Sequence, residues 1–348
     1  MRILVLGSGA REHAIVDALL ADPDGHEVIV SPGNDGIATV ARCLRFGDIT
    51  DPEAVASWVA DNPVDLVVIG PEAPLVAGVA DALRERGVPV FGPGRAAARL
   101  EGSKTFAKRV MGEAGVPTGR AIRAATYAEA VAAIDELGAP HVVKADGLAA
   151  GKGVLVTEDR AAALEHAERY LEEGSVLIEE HLTGQEVSLF FLADGSHVLP
   201  LAPAQDYKRL GDGDAGPNTG GMGAYSPLPW LDDAFGDERA FVQRVLDTVA
   251  LPVVRQLDSE DTPFIGLLYC GLILDGTDIR VIEFNARFGD PETQVVLPRL
   301  QDPLGRLLFA AASGELGGRE WPRFSSDAAV GVVLASEGYP EAPVLGRA

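Results

Sequence analysis

Residues 1–14, MRILVLGSGAREHA, decide the fold class of this protein. The apolar run at residues 2–6 predicts a buried strand, the glycines that follow predict a tight turn, and a helical pattern begins at Ala10. The same succession recurs downstream, with a further helix expected over residues 75–85. This alternation is typical of a doubly wound α/β domain built on a parallel sheet, which we expect to span residues 1–102.

The turn at residues 7–9, GSG, matches a dinucleotide-binding fingerprint only in part. Glu12 stands where that fingerprint has its third glycine, and no acidic residue ends the second strand. A nicotinamide cofactor is therefore disfavoured, whereas exposed amides at a helix N-terminus still favour a phosphate. Arg11 would add a bidentate contact to it, and Glu72, on the same sheet edge, suits ribose hydroxyls or an amine. The alternative is that the glycines only form a tight turn.

The composition excludes several functional classes. With 348 residues, 47% of them hydrophobic, the chain is long enough for more than one domain. Its net charge of −23 argues against binding to nucleic acid. The apolar runs are shorter than the roughly 20 residues of a membrane span. Two cysteines, Cys43 and Cys270, fit neither a disulfide framework nor a zinc site, and the N-terminus lacks signal-peptide features, so we expect a cytoplasmic protein.

The same charge would repel an anionic substrate unless basic residues were concentrated in one cleft. The chain has only five lysines among its 29 basic residues. These few lysines are therefore worth inspecting as candidates for such a cleft.

Beyond the N-terminal domain we expect a two-lobed domain over residues 103–315. Its small lobe, about residues 120–190, has the mixed pattern of an α+β unit. From Glu186 onward the strands lengthen and follow one another, which predicts antiparallel pairing. Residues 316–348 are expected to begin a further, truncated domain.

A glycine-rich loop, DGLAAGKG at residues 146–153, resembles a P-loop but lacks its spacing and joins two strands. Its small residues let backbone N–H groups approach phosphates closely. Lys144 precedes the loop, Lys152 lies within it, and Lys104 follows a plausible N-cap at Ser103. We expect the three lysines to share one phosphate site, the alternative for Lys152 being a solvated position.

Residues 178–182, IEEHL, run from a strand into a short connector between the lobes. The backbone of such a connector can offer donors and acceptors to an adenine edge, and Glu186 in the next strand would then reach a ribose. Taken alone, these acids are equally well explained as surface residues.

The strand at residues 281–287, VIEFNAR, carries Glu283, Asn285 and Arg287 on one face. The alternation of a strand predicts that the intervening apolar positions point to the core. These positions are Ile282, Phe284 and Ala286. Carboxylate and amide oxygens suit Mg²⁺, and a fixed guanidinium can hold a carboxylate or stabilise a transferring phosphoryl group. The alternative is an exposed polar face.

Two neighbouring segments add candidates. Asp290 is expected to cap a helix that has Pro291 at its first position. The long loop at residues 206–226 offers carboxylates for a substrate ammonium, the alternative being a flexible solvated turn. Its candidate residues are Asp206, Lys208, Asp214, Asn218 and Thr219.

Seven motifs occur in the order found in one enzyme family. They are GSGAREHA at residues 7–14, PGN at 32–34, GPEAPLV at 70–76, LEGSK at 100–104, VVKADGLAAGKGV at 142–154, GPNTGGMGAYSP at 216–227 and IEFNARFGDPETQ at 282–294. Through these motifs essentially the whole chain resembles the ATP-grasp enzymes and, among them, the phosphoribosylamine–glycine ligase family, also called glycinamide ribonucleotide synthetases. Asp35 and Tyr207 depart from the family pattern, and Cys270-Gly271-Leu272 occupies the region where many ATP-grasp enzymes have a further acidic metal ligand.

The resemblance implies a monomeric or weakly dimeric enzyme of de novo purine biosynthesis. It would join glycine to 5-phosphoribosylamine through glycyl phosphate, using ATP with Mg²⁺ or Mn²⁺. Arg287 and Lys144 would be catalytic, and Glu283 and Asn285 would hold the metal. The implied ATP-binding residues are Lys104, Lys144, Gly147, Gly151, Lys152, Gly153, Glu179, Glu180, Leu182 and Glu186. The implied substrate-binding residues are Gly9, Arg11, Glu12, Asn34, Glu72, Asp206, Lys208, Asp214, Asn218, Thr219 and Arg287.

Two other interpretations stay open at this point. One is an ATP-grasp ligase or carboxylase that uses a different amine or carboxylate. The other is a nucleotide sensor without catalysis, which the metal-binding face disfavours because adenine binding alone needs no metal.

Overall fold

A computed structural model describes residues 1–147, 153–213, 215–344 and 346. The N-terminal region contains β1 (Arg2–Gly7), β2 (Glu27–Pro32), β3 (Arg42–Cys43), β4 (Leu66–Ile69) and β5 (Val90–Phe91), with α1 (Ala10–Ala21), α2 (Pro52–Asp61), α3 (Glu72–Ala77), α4 (Val79–Arg84) and α5 (Arg95–Gly102). The strands form one sheet in the order β3-β2-β1-β4-β5, and every pairing in it is parallel. The predicted doubly wound class is confirmed.

The central strand β1 is apolar on both faces because both faces are covered. Ile3 and Val5 belong to one buried cluster, and Leu4 and Leu6 belong to another. Burial on both sides explains why its sequence is a continuous apolar run instead of an alternating one.

The single helix expected over residues 75–85 is wrong. The structure has two short helices, α3 and α4, which meet at Gly78 with a φ of 91°. This left-handed conformation is one that glycine adopts readily, and it ends α3.

The small lobe is an antiparallel sheet with two helices. It contains β6 (Ala121–Ala124), β7 (His141–Ala145), β8 (Val154–Thr157) and β9 (Val176–Glu179), in the order β6-β9-β7-β8, with α7 (Tyr127–Leu137) and α8 (Arg160–Leu171). Thr126 and Glu129 form a capping box at the start of α7, and Asp159 caps α8.

The remaining elements form the large lobe and, with the strand Ala329–Val332, the segment after residue 315. They are α6 (Lys104–Ala114), β10 (Gln185–Asp194), β11 (Val198–Pro200), β12 (Gln205–Asp206), β13 (Arg209–Gly211), β14 (Ala215–Asn218), β15 (Gly223–Ser226), α9 (Leu231–Phe235), α10 (Glu238–Val245), α11 (Leu251–Ser259), β16 (Ile265–Asp275), β17 (Asp278–Asn285), α12 (Thr293–Val296), α13 (Leu304–Ala312) and β18 (Ala329–Val332). A π-helical turn, Leu246–Ala250, joins α10 to α11, and short 3-10 turns lie at Ile37–Thr39 and Leu297–Arg299.

The sheet β11-β10-β16-β17 is antiparallel, which confirms the pairing expected from Glu186 onward. Residues 206–226 are not a simple loop, because β13 and β14 form a hairpin there and β15 follows it. The predicted cap at Asp290 is also wrong. The helix α12 begins later, with Glu292 at its N-cap position, and the Asp290 carboxylate instead accepts a hydrogen bond from the Gln294 amide at 2.6 Å.

The apolar cores divide the molecule into two parts. Buried residues of the N-terminal sheet and of the large lobe belong to the same two clusters, as Leu4 and Leu189 do in one of them. We call this unit the body. The small lobe has a separate cluster that includes Ile134, Val143 and Ile178. Among the described residues, no helix is both long and apolar enough to cross a bilayer.

Candidate active site

A cleft of about 430 Å³ lies between the small lobe and the body. Four of the five lysines line it, and the fifth, Lys152, lies outside the described residues. Within the part of the chain that the structure describes, the lysines of this acidic protein thus lie together around one cleft. The lysines in the cleft wall are Lys104, Lys108, Lys144 and Lys208.

Most of the predicted site residues meet in this cleft. Those that line it are Glu72, Lys104, Lys144, Gly147, Gly153, Glu179, Glu180, Leu182, Glu186, Asp206, Lys208, Asn218, Thr219, Glu283, Asn285 and Arg287. Gly9, Arg11, Glu12 and Asn34 do not line it. Gly151, Lys152 and Asp214 lie outside the described residues.

The start of α6 carries the first lysine to the base of the glycine-rich loop. Ser103 caps this helix by accepting a hydrogen bond from the Phe106 amide at 3.2 Å. The Lys104 ammonium then donates to the carbonyl of Gly147 at 3.2 Å. An ammonium at a helix N-terminus beside exposed loop backbone suits the binding of phosphate.

Asp146 ties this part of the small lobe to α6. Its carboxylate accepts hydrogen bonds from the Ser103 hydroxyl at 3.0 Å, the Thr105 hydroxyl at 2.6 Å and the Ser175 hydroxyl at 3.2 Å. Partial burial opposes its ionisation, but the hydrogen bonds from Thr105 and Ser103 hold the pKa of Asp146 below its ordinary value. The loop therefore starts from a fixed position beside Lys104.

The second buried lysine reaches the cleft from the small lobe. Lys144 on β7 is only 5% exposed, and its Nζ lies 3.1 Å from Oε2 of Glu179 on β9. The same Nζ lies 3.5 Å from the carbonyl of Ile282 on β17. Lys144 therefore bridges the lobe and the strand that carries the candidate metal ligands.

Strand β17 places Glu283 and Asn285 in the wall of the cleft. Burial opposes ionisation of Glu283, but Lys208, Lys144 and Lys104 hold its pKa below the ordinary value. Within the described residues, neither its carboxylate nor the Asn285 side chain makes a hydrogen bond. These oxygens are thus available to a ligand.

The predicted alternation on β17 needs one correction. A bulge opposite Gly271 and Leu272 makes Ile282 an extra residue, and it lines the cleft instead of entering the core. Beyond the bulge the alternation holds, since Phe284 is buried in the body while Glu283 and Asn285 face the cleft.

Arg287 is held in place by two acidic side chains and one backbone carbonyl. Its Nη2 lies 3.1 Å from Glu101 Oε1, its Nε lies 3.6 Å from Glu72 Oε2, and its Nη1 donates to the carbonyl of Phe288. Although burial opposes it, Glu101 and Glu72 raise the pKa of Arg287. The buried Nε makes no hydrogen bond within the described residues, and its acidic neighbour there is Glu72.

A second set of acidic side chains, Glu292, Glu186 and Asp206, lines the cleft on the body. Tyr269 donates to Glu292 Oε1 at 2.8 Å and contacts the Ser188 hydroxyl at 2.7 Å. Beside it, Lys208 Nζ lies 3.0 Å from Glu186 and 3.9 Å from Asp206. Burial raises the pKa of Asp206 to about 7 despite Lys208.

The N-terminal turn lies outside the cleft wall, and its charged residues are already paired. Glu12 accepts hydrogen bonds from the Gly9 amide and from Arg11 Nε, both at 2.6 Å. A Cβ at Gly7 or Gly70 would collide with the Glu12 side chain, so the glutamate fills the space that a third fingerprint glycine would leave empty. This carboxylate explains why the fingerprint is incomplete.

The same turn approaches the cleft through the loop after β17. Arg11 Nη1 donates to the Phe288 carbonyl, which Arg287 also contacts. The Asn34 side chain donates to the Ser8 carbonyl and accepts from the Ile37 amide, both at 2.8 Å. Arg11 and Asn34, which were predicted to bind substrate, therefore hold the glycine turns together beside the cleft.

Several polar residues that line the cleft were not predicted as site residues from the sequence, among them Glu101, Lys108, Tyr269 and Glu292. Glu101 stands in the quoted LEGSK motif, and its contact with Arg287 depends on a fold that brings residues 101 and 287 together. The scarcity of lysine was a usable signal for Lys108, whereas Tyr269 lies in an apolar strand that carries no such signal.

Comparison with known proteins follows this architecture along the chain. Residues 1–101 match the family model described as phosphoribosylglycinamide synthetase, N domain, and residues 102–293 match that described as phosphoribosylglycinamide synthetase, ATP-grasp (A) domain. Phosphoribosylamine–glycine ligase of Leifsonia xyli subsp. xyli is 69% identical over 347 residues, which cover 100% of this chain and 82% of the relative. The protein of the same name from Streptomyces coelicolor is 56% identical over 99% of this chain and 81% of that relative.

A solved structure agrees with these matches. The crystal structure of phosphoribosylamine–glycine ligase from Thermotoga maritima has a TM-score of 0.82 and 34% sequence identity, and the match covers 99% of this chain and 83% of that chain. Both family models, the curated relatives and the fold point the same way, and the chain belongs to the phosphoribosylglycinamide synthetase family of ATP-grasp enzymes.

Proposed function

We propose that the cleft between the small lobe and the body is the active site of this chain. The reaction is the ATP-dependent ligation of glycine to 5-phosphoribosylamine through glycyl phosphate, which gives glycinamide ribonucleotide, ADP and phosphate in de novo purine biosynthesis. The observation that carries the proposal for the site is the meeting of Lys104 and Lys144 with Glu283, Asn285 and Arg287 in one cleft.

ATP is held on the lysine side. Lys104, Lys144 and the glycine-rich loop bind the phosphates. The loop residues assigned to this role are Gly147, Gly151, Lys152 and Gly153. The backbone of the connector at Glu179, Glu180 and Leu182 takes the adenine edge, and Glu186 takes the ribose. Support comes from the cleft lining and from the lysines at the base of the loop.

A divalent metal ion accompanies ATP, and we assign it as Mg²⁺ or Mn²⁺ at Glu283 and Asn285. No group of three or more His, Cys, Asp or Glu side chains among the described residues has metal-binding geometry. Two oxygen donors fit a hard cation that completes its shell with water and phosphate oxygens. When bound, such an ion neutralises charge on the transferring phosphoryl group.

The chemistry then needs mainly positioning and charge stabilisation. A glycine carboxylate oxygen attacks the γ-phosphorus, the bond to the β-phosphate oxygen breaks, and ADP leaves. The amine of phosphoribosylamine next attacks the acyl carbon and loses a proton, and the carbon–oxygen bond to phosphate breaks. Arg287, held beside Glu72 and Glu101, binds the glycine carboxylate or stabilises the charge on the transferring phosphoryl group.

The carboxylates of Asp206 and Asp214 are the proposed partners of the glycine ammonium, and Lys208, Asn218 and Thr219 are further substrate-binding residues of the same segment. Phosphoribosylamine binds at the rim of Gly9, Arg11, Glu12, Asn34 and Glu72. The contact of Arg11 and Arg287 with one carbonyl, that of Phe288, supports a rim that adjoins the acyl-transfer position.

We further propose three domains, with residues 1–102 binding phosphoribosylamine, residues 103–315 as the ATP-grasp domain with its small lobe at about 120–190, and residues 316–348 beginning a third. The enzyme acts on small molecules in the cytoplasm, as a monomer or weak dimer. Its net charge of −23 supports the absence of a nucleic-acid partner.

The test is ADP release by the purified protein with ATP, Mg²⁺, glycine and freshly generated phosphoribosylamine. We expect release that requires both co-substrates and yields glycinamide ribonucleotide in equal amount. ADP release that continued at the same rate without glycine would overturn the assignment.

A further inference from the structure

The ammonium of Lys108 lines the cleft but has no donor left for a ligand. Its Nζ lies 3.1 Å from Glu179 Oε2, 2.9 Å from Thr118 Oγ1 and 3.0 Å from the carbonyl of Gly119. A lysine ammonium has three N–H donors, and these three acceptors use all of them. Lys108 is therefore placed among the phosphate-binding lysines without being able to bind phosphate in this arrangement.

Its acidic partner is shared with a second lysine. Oε2 of Glu179 lies 3.1 Å from the Nζ of Lys108 and 3.1 Å from the Nζ of Lys144. Glu179 and Lys144 are each only 5% exposed, so water screens this trio weakly. One carboxylate thus meets two ammonium groups, and the trio keeps a net positive charge.

The other two acceptors lie where the chain crosses from the body into the small lobe. Thr118 donates its hydroxyl to the carbonyl of Val281 at 2.7 Å, and the Val281 amide donates to the carbonyl of Pro117 at 2.8 Å. Lys108 therefore contacts the crossing point as well as the carboxylate beside Lys144.

We infer that Lys108 is a positioning residue for Lys144, because it neutralises Glu179 and leaves the Lys144 ammonium free to bind a phosphate group of the nucleotide. Without Lys108, Glu179 would have Lys144 as its nearest counterion and would hold that ammonium away from the phosphates. The inference rests on the proposed function only in requiring that ATP bind in this cleft.

A purely structural role at the crossing point is the competing explanation, and three variants separate the two. Lys108→Met removes both the charge and the crossing-point contacts. Adding Glu179→Gln to it restores the charge balance but not those contacts. Thr118→Val removes one of those contacts and keeps the charge pair.

The readouts are the calorimetric affinity for a non-hydrolysable ATP analogue and the KM for ATP measured beside kcat. We expect Lys108→Met to weaken analogue binding and raise the KM by about tenfold, the effect of one charge-assisted hydrogen bond, with a smaller change in kcat. The double variant should recover most of the affinity, and Thr118→Val should stay within about threefold of wild type.

Two results would overturn the inference. One is analogue binding by Lys108→Met within about twofold of wild type, and the other is a double variant that binds no better than Lys108→Met. If Lys108→Met does not fold, Lys108→Gln takes its place, because it removes the same charge and keeps a hydrogen-bonding side chain beside Thr118 and Gly119. Analogue binding by Lys108→Gln within about twofold of wild type contradicts the charge-balance role. Analogue binding is measured without turnover, so failure of the ligase assignment would show separately in the wild-type ADP-release assay.

Discussion

The small lobe and the body differ in what holds them together and in the charge that they bring to the cleft. The small lobe has its own apolar cluster, whereas the N-terminal sheet and the large lobe share theirs. Lobe and body meet through polar contacts such as those of Asp146 and Glu179. Such contacts can rearrange at lower cost than a packed core, so the lobe is the part expected to move as a unit.

The charges that the small lobe and the body bring to the cleft are complementary. Near the lobe, Glu179 is matched by two ammonium groups. On the body, Asp206, Glu186 and Glu283 share the cation Lys208, and the pKa of Asp206 is raised to about 7. The body edge therefore favours added positive charge, and the lobe side favours added negative charge. A metal–ATP complex between them supplies both.

Glu283→Ala tests the body side and carries the largest expected effect. Loss of the carboxylate should lower kcat by about 10³-fold, since the charge on the transferring group would lose its stabilising ion. Thermal unfolding should change little, because the carboxylate accepts no hydrogen bond from the described residues. The measurement is ADP release over a range of Mg²⁺ concentrations.

The matched control is Asp278→Ala at the other end of the same strand. Asp278 is exposed and pairs with Arg280 at 3.1 Å, so this change should leave kcat within about twofold of wild type. Near-normal turnover by Glu283→Ala would contradict the role of Glu283 as a metal ligand. It would also contradict the inference that the body edge favours added positive charge.

A pair of core substitutions tests the separation of the two parts directly. Ile134→Ala in the small lobe and Leu189→Ala in the body each delete a fully buried side chain, at a cost of about 2–5 kcal/mol. In hydrogen exchange, Ile134→Ala should lower protection in β7 and β9 while β1 and β10 keep theirs. Leu189→Ala should lower protection throughout the body. If either variant lowered protection equally in the small lobe and the body, the two would unfold as one cooperative unit, contrary to their separate apolar cores.

The sequence predicted the body better than it predicted the cleft. Continuous apolar strands such as β1 identify a parallel sheet, because burial on both faces leaves no polar alternation. The motif strand with Glu283 and Asn285 was likewise readable, since alternation on a strand is local. Its bulge at Ile282 was not, because a bulge depends on the partner strand, here Gly271 and Leu272.

The contacts that position the site were the least predictable. The pair between Glu101 and Arg287 joins residues far apart in the chain, and nothing local to either predicts it. Glu12 looked like a defect in a glycine fingerprint, yet it fills the space over Gly7 and Gly70 and caps the turn. Sequence patterns report which face a residue occupies, while pairing across elements is set by the tertiary fold.

Asp206→Asn sharpens the charge contrast through pH. A carboxyl group whose pKa rises from 3.8 unfolded to about 7 folded stabilises the protein at low pH, and that stability is lost as pH increases through about 7. The ligand-free wild type should therefore lose about 4 kcal/mol more than Asp206→Asn between pH 4 and pH 8, since the two pKa values differ by about three units and each unit corresponds to about 1.4 kcal/mol. Urea unfolding at several pH values measures this, and parallel curves for the two proteins would contradict the raised pKa of Asp206 and the excess of acidic groups at the body edge.

Asp146→Asn tests the polar tie between the parts, with the smallest expected effect. The aspartate accepts hydrogen bonds at both oxygens, from Ser103, Thr105 and Ser175, whereas an amide keeps only one acceptor oxygen. The base of the glycine-rich loop should then shift relative to Lys104, which raises the KM for ATP by about tenfold and leaves kcat within about threefold of wild type. Asp135→Asn is the control, because Asp135 forms an exposed pair with Arg160 inside the lobe and its loss should not change the KM. If Asp146→Asn lowered kcat and left the KM unchanged, the tie would act on the chemistry itself instead of on the placing of the lobe, and the lobe would have to be regarded as part of the rigid body.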